Sequence, residues 1–312
     1  MDSAFVMELG RRIEKETSSV IVGCGETIRL VLATLFAGGH VLMEDVPGTG
    51  KTLLCRTIAA CVDMPFARVQ FTPDLLPSDI TGMSVYRQDT GDFRFLPGPV
   101  FTGFLLADEI NRAVSRTQSA LLECMEDRQV TEGGVSRPLP SPFMVLATQN
   151  PVENRGTFPL PEAQLDRFMV RLKMGYPDHD GSMALLGRFL KGVTRKKVSP
   201  VSDGGEVLRA VREAGECRIS DVCADYIVRI VEETRNSERV ELGVSGRGML
   251  SLAAVVRAYA ALDGRDYVVP DDIKYLAPCV LSHRLIMRGG EDPDDFVREI
   301  LGRIWAPTEN GR

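Results

Sequence analysis

The chain has 312 residues, with 37 Lys and Arg against 43 Asp and Glu, 44% hydrophobic residues and 6% aromatics. That length suits one large domain or two smaller ones with a sizeable core, and the composition excludes global disorder. A net charge of −6 argues against a protein that coats nucleic acid, though not against a local basic channel inside an oligomer.

From the N-terminus, Met1-Asp2 through Arg11-Arg12 lacks the apolar segment of a secretory signal. Residues 8–37 read as helical stretches broken near Val22-Gly23-Cys24-Gly25. His40 to Glu44 is a short apolar run between Gly38-Gly39 and Pro47-Gly48, which suits a buried strand. Thr52 to Val62 reads as a helix and Arg68 to Phe71 as a strand. Phe104 to Ala107 is a third strand, ending in Asp108-Glu109. Ser115 to Asp127 is an amphipathic helix, and Phe143 to Ala147 and Met169 to Leu172 are two further strands. Strands alternating with helices predict a mostly parallel sheet covered on both faces. Residues 79–102 and 129–142 break this rhythm with turn signals and alternation, which predicts two inserted hairpins.

After Gly175-Tyr176-Pro177 only helical periodicity follows, near 182–192, 204–214, 220–235, 246–262, 270–281 and 294–304. Asp221, Ser245 and Pro270-Asp271 are start signals. Residues 1–176 therefore read as an α/β domain and 177–312 as a helical one, with Arg195-Lys196-Lys197 in a solvated connector. No apolar run approaches the ~18 residues of a membrane span: Leu30 to Ala37 is short, and Met249 to Leu262 carries Arg257. The seven cysteines form no CxxC pair and read as reduced thiols filling core space, so a cytoplasmic protein is expected. His40, His179 and His283 stand away from ligand spacing and argue against a zinc site.

Two motifs carry chemistry. Asp45-Val46-Pro47-Gly48-Thr49-Gly50-Lys51-Thr52 follows a predicted strand and opens a predicted helix, the context of a phosphate loop. Glycines let successive N–H groups face a pyrophosphate at a helix N-terminus. Lys51 would reach the β- and γ-phosphates and the Thr52 hydroxyl would ligate magnesium. The full pattern has Gly where Asp45 stands. The strand ending in Asp108-Glu109 puts two carboxylates at the carboxyl edge of the sheet, Asp108 for magnesium and Glu109 as general base toward water.

With these motifs placed, the chain resembles the MoxR family of AAA+ ATPases over nearly its full length. The resemblance rests on Gly39 to Gly48, Gln70 to Gly82, Ala107 to Ala113, Ala147 to Pro151 and Pro159 to Phe168. It implies an α/β AAA+ P-loop NTPase core with a mostly parallel five-stranded sheet, two inserted β-hairpins and a C-terminal all-helical lid. Asp45 belongs to the family's variant of the loop. The implied ATP-binding set is Val22 and Gly23 on the adenine side, then Pro47, Gly48, Thr49, Gly50, Lys51, Thr52 and Leu53. Asn150 looks like sensor 1, Arg167 like the arginine finger that reaches a neighbouring subunit, with a salt bridge to Asp166 or Glu162 as the alternative, and Arg247 like the sensor-2 arginine of the lid, coupling nucleotide state to the angle between the domains. Departures from the family pattern are Cys24-Gly25, Asn154-Arg155 and Gly246. The hairpins match family inserts that contact substrate or a central pore, which makes Tyr86, Phe93 and Phe95 candidate contacts, with packing inside the insert as the alternative.

The implied activity is ATP hydrolysis with magnesium by a hexameric ring that remodels, matures or activates a client protein or a von Willebrand factor A domain partner. A nucleotide-dependent scaffold without turnover is the alternative. A nucleic-acid motor is a third reading, disfavoured by the acidic balance.

Overall fold

A computed structural model describes residues 1–44, 48–89, 91–150, 157–176, 179–191 and 198–307. Pro47, Asn154-Arg155 and Arg195-Lys196-Lys197 lie outside the described residues. Helices α1 (Ser3–Ser18) and α2 (Gly25–Phe36) lead into β1 (Val41–Glu44), then α3 (Lys51–Cys61) and β2 (Phe66–Gln70). A short α4 (Pro77–Thr81) precedes the hairpin β3 (Gly82–Arg87) and β4 (Asp92–Pro97). Strand β5 (Phe104–Asp108) and α5 (Ser115–Asp127) follow, then the hairpin β6 (Gln129–Glu132) and β7 (Val135–Pro138). Strand β8 (Met144–Gln149), a one-turn α6 (Glu162–Leu165) and β9 (Val170–Leu172) complete the α/β part.

The sheet has the order β2-β5-β8-β1-β9, with every pairing parallel. Parallel strands are buried on both faces, which is why β5 and β8 are near-continuous apolar runs rather than alternating ones. Alternation instead sorts their side chains between two cores. Phe104, Leu106, Met144 and Leu146 join one cluster; Leu105, Ala107, Val145 and Ala147 join the other. The register pairs Gln70 with Asp108 and Glu44 with Gln149, so all four polar strand ends fall on one edge of the sheet.

The remaining elements are α7 (His179–Leu190), α8 (Gly204–Gly215), α9 (Asp221–Asn236), β10 (Val240–Leu242), α10 (Gly246–Leu262), α11 (Pro270–Leu281), β11 (Ile286–Met287) and α12 (Pro293–Arg303). Helical periodicity located α10 and α11 to the residue. It missed the short β10–β11 ladder, which is too brief to show a period. Ser220, one residue before the expected start, caps α9 by accepting from the Cys223 N–H, and Ser245 caps α10 by accepting from Gly248.

The lid helices share a hydrophobic cluster with α1, α2 and α3, including Leu9, Phe36, Ile58, Val207, Leu252 and Leu276. Helix α1 packs against α8 and α10, and Arg12 Nη1 donates to the Val201 carbonyl at 2.9 Å. The two hairpins also touch each other. Ser84 Oγ donates to Glu132 Oε2 at 2.6 Å, and the Arg137 guanidinium stacks over the Phe95 ring at 4.0 Å. Phe95 is half-buried, whereas Phe93 is 74% exposed beside Tyr86, their rings edge to face at 5.4 Å.

Candidate nucleotide site

The site begins where β1 delivers the chain to the carboxyl edge of the sheet. Gly48 has φ +87° and Gly50 φ +95°, left-handed conformations that glycine adopts without a Cβ penalty. Helix α3 starts at the next residue, Lys51, with no side-chain cap on its N-terminus. A helix N-terminus of this kind presents backbone N–H groups and positive potential to an anion.

A cavity of about 450 Å3 lies over this turn. Gly48, Gly50, Lys51, Thr52 and Leu53 line it together with Asp108 and Glu109, and with Asn150 just past the end of β8. Thr49 is described but is not part of this lining.

The two carboxylates are held by hydrogen bonds that orient them. Thr148 Oγ1 donates to Asp108 Oδ1 at 2.7 Å while accepting from the Glu109 N–H at 2.9 Å, so one hydroxyl fixes both residues. Arg68 donates to Asp108 Oδ2 from Nη2 at 2.6 Å and from Nε at 3.1 Å. Gln70 Nε2 donates to Glu109 Oε2 at 2.7 Å, and Arg112 Nε lies 3.0 Å from the same oxygen. Glu109 itself sits at φ +57°, ψ +49°, a left-handed conformation rare for a residue with a side chain. Such a conformation costs roughly 1–2 kcal/mol and persists where its surroundings over-determine it, as they do here.

Among the contributors here that escaped the sequence reading are Arg68, Gln70 and Thr148. Arg68 and Gln70 are two apart on β2, so strand alternation puts both on one side, and that spacing was a usable signal. Thr148 is the first polar residue at the end of an apolar strand, the same signature that marked Asp108.

Gly23 lines a second cavity of about 530 Å3 between α2, β9, α11 and α12. Val22 is half-buried next to it. Met174 lines the second cavity and comes within 3.8 Å of where a Cβ on Gly50 would lie.

Arg167 and Arg247 line neither cavity. They line a separate cleft, with Glu126 and Met125. Arg167 Nε donates to Glu126 Oε2 at 2.8 Å, and Arg247 Nη2 pairs with Glu126 Oε1. The adjoining residues form a second, inner layer. Asp166 accepts from Ser245 Oγ at 2.9 Å and from Arg284 Nε at 2.6 Å.

Chemically, the first cavity offers N–H donors and an ammonium on one side and hard oxygen ligands on the other, which suits a polyphosphate carrying a hard cation.

The family model described as "ATPase family associated with various cellular activities (AAA)" matches residues 40–170, and the "AAA lid domain" model matches residues 232–301. The protein YeaC of Bacillus subtilis is 46% identical over 306 residues, 96% of this chain and 95% of that protein. Chaperone MoxR1 of Mycobacterium tuberculosis is 42% identical, over 92% of this chain and 78% of that one. A crystal structure of a Cytophaga hutchinsonii protein superposes with a TM-score of 0.90 at 38% identity, covering 98% of this chain and 97% of the other. The fold and these relatives together place the chain in the MoxR family of AAA+ ATPases.

Proposed function

We propose that the chain binds ATP with magnesium over the α3 N-terminus and hydrolyses it, as one subunit of a cytoplasmic hexameric ring that remodels or activates a client protein or a von Willebrand factor A domain partner. The observation that carries this reading is that one cavity of about 450 Å3 is lined both by Lys51 and Thr52, on a helix start with no side-chain cap, and by Asp108 and Glu109. Lys51 and the loop N–H groups grip the β- and γ-phosphates. Thr52 and Asp108 would hold magnesium. Among the described residues no three His, Cys, Asp or Glu side chains cluster into a cage, which fits a small cation that takes one or two protein oxygens and completes its shell with phosphate and water. Magnesium, when bound, supplies charge neutralisation on the phosphate oxygens.

Glu109 takes the proton from the attacking water, its carboxylate steered by Gln70 and Arg112. Asn150 completes the wall on which that water is positioned. The adenine lies toward Val22 and Gly23, where the second cavity opens beside Met174. Arg167 and Arg247 sit on the Glu126 face, apart from their own subunit's cavity, which supports a role for both toward the nucleotide of a neighbouring subunit. The exposed Tyr86 and Phe93 support client contact through the β3–β4 hairpin. The chain divides near residue 176 into the nucleotide-binding part and the lid. Phosphate release from ATP by the purified chain tests the activity. Lys51→Ala should lose nucleotide binding in equilibrium titration, and full binding by that variant would move the site elsewhere.

A further inference from the structure

Glu126 has no evident reason to be where it is. It is the penultimate residue of α5, and no basic residue stands in that last turn. A carboxylate there faces the negative end of the helix dipole, which is unfavourable. What offsets this lies far away in sequence, in Arg167 and Arg247.

The geometry of the trio is informative. Each carboxylate oxygen takes one arginine, so one anion is shared by two cations and a net positive charge is left. Among the described contacts, Arg167 uses only Nε and Arg247 only one terminal nitrogen toward Glu126. Since a guanidinium carries five N–H donors, each keeps donors for another acceptor. The three side chains and Met125 line a cleft of about 170 Å3. Arg167 and Arg247 remain 26% and 45% exposed there. Without the carboxylate, two guanidiniums at this separation repel each other. Main-chain positions on both sides are already tied together by Ser245 and Arg284 on Asp166, so what remains to be set is side-chain direction.

We infer that Glu126 is a positioning residue: its carboxylate holds Arg167 and Arg247 together as one two-pronged cationic site for the terminal phosphate of a nucleotide carried by a second copy of this chain. The inference rests on the reading that both arginines act across a subunit boundary. Glutamine cannot replace the carboxylate, because its amide N–H2 would face a guanidinium with no acceptor. Aspartate keeps the charge on a shorter stem.

The test is steady-state ATP turnover by Glu126→Gln, Glu126→Asp, Arg167→Ala and Arg247→Ala, at subunit concentrations where the rate per subunit has levelled off. Glu126→Gln should lower kcat by about tenfold or more while KM for ATP stays within about twofold. Glu126→Asp should recover part of the loss. Mixing Glu126→Gln with Glu109→Gln subunits should restore turnover above either alone, because intact carboxylates on one then meet an intact arginine pair on the other. A Glu126→Gln kcat at or above that of the unmodified chain overturns the inference. So does a defect that disappears as subunit concentration rises, since the residue would then act through assembly. If Arg167→Ala and Arg247→Ala lose turnover and Glu126→Gln does not, the inference fails while the underlying reading stands. If both arginine variants turn over normally, the reading fails and the inference with it.

Discussion

Replacing Arg284 probes how the lid is fastened to the nucleotide-binding part. The Arg284 side chain is 2% exposed. Its Nε donates to Asp166 Oδ1 at 2.6 Å, and Nη2 donates to the Phe168 carbonyl at 2.7 Å and the Asp166 carbonyl at 3.1 Å. Nη1 donates to Met169 O at 3.3 Å and to Val280 O on α11. One guanidinium therefore satisfies three carbonyls in the stretch around Arg167 and one on a lid helix, as well as a carboxylate. Arg284→Ala removes a donor from each of these acceptors, with His283 Nε2 still 3.0 Å from the Phe168 carbonyl, and leaves the Asp166 carboxylate, 18% exposed, with Ser245 alone. Breaking a buried pair from one side costs about 3–5 kcal/mol, and the partial exposure of Asp166 favours the lower end. At roughly 2–4 °C per kcal/mol, a loss of about 3 kcal/mol should lower the melting temperature by about 6–12 °C. Arg284→Lys should recover less than half of this, because an ammonium cannot reproduce the fork. Thermal and urea unfolding followed by circular dichroism measure both. A loss below about 1 kcal/mol for alanine, or equal losses for lysine and alanine, would refute the role assigned to the guanidinium.

Two further outcomes follow from buried groups. His40 Nδ1 accepts from the Val145 N–H at 3.0 Å, and burial, aided by the Arg128 charge, pushes its pKa down to about 3. Burial and Arg284 hold His283 well below its usual range as well. Both histidines stay neutral in the folded chain while the unfolded chain takes up protons near pH 6.5. Stability is therefore fully present above pH 6.5 and is lost as pH falls, by up to about 1.4 kcal/mol per pH unit for each histidine, with His40 contributing down to about pH 3. His40→Gln should flatten the measured slope by about one proton; an unchanged slope would contradict the assignment. Burial also raises the Cys124 and Cys279 thiols to about 12 and Cys217 to about 11. These three should react slowly with a thiol reagent in the native state, while all seven cysteines react quickly in denaturant. Fast native labelling at Cys279 would contradict its packing.

Much of the layout was legible in the sequence because it follows from local rules. The apolar runs that became β1, β5 and β8 are buried on both faces. A phosphate loop is a contiguous string whose glycines and lysine announce themselves. Asp108-Glu109 stood out because carboxylates end an otherwise apolar strand. The two hairpins were visible as alternation around turn residues such as Gly133-Gly134. What stayed hidden depends on chain segments brought together by folding. Glu126 meets partners 41 and 121 residues away, and Arg284 meets Asp166 across 118. No spacing rule links them. The separation of Arg247 from its own subunit's cavity was equally unreadable, since it depends on how α10 docks through Ser245 onto Asp166. Tyr86, Phe93 and Phe95 lie in one insert, yet cross-strand pairing exposes two of them and turns the third against Arg137 and Phe101.

In the proposed mechanism Glu109 is the general base toward the water that attacks ATP bound over the start of α3. The most direct measurement is phosphate release by Glu109→Gln beside nucleotide affinity for the same protein. The amide keeps the shape of the side chain but cannot accept the proton of the attacking water. Turnover should fall by about a hundredfold or more with ATP binding unchanged. Turnover at the rate of the unmodified chain, with binding intact, would exclude Glu109 as the base.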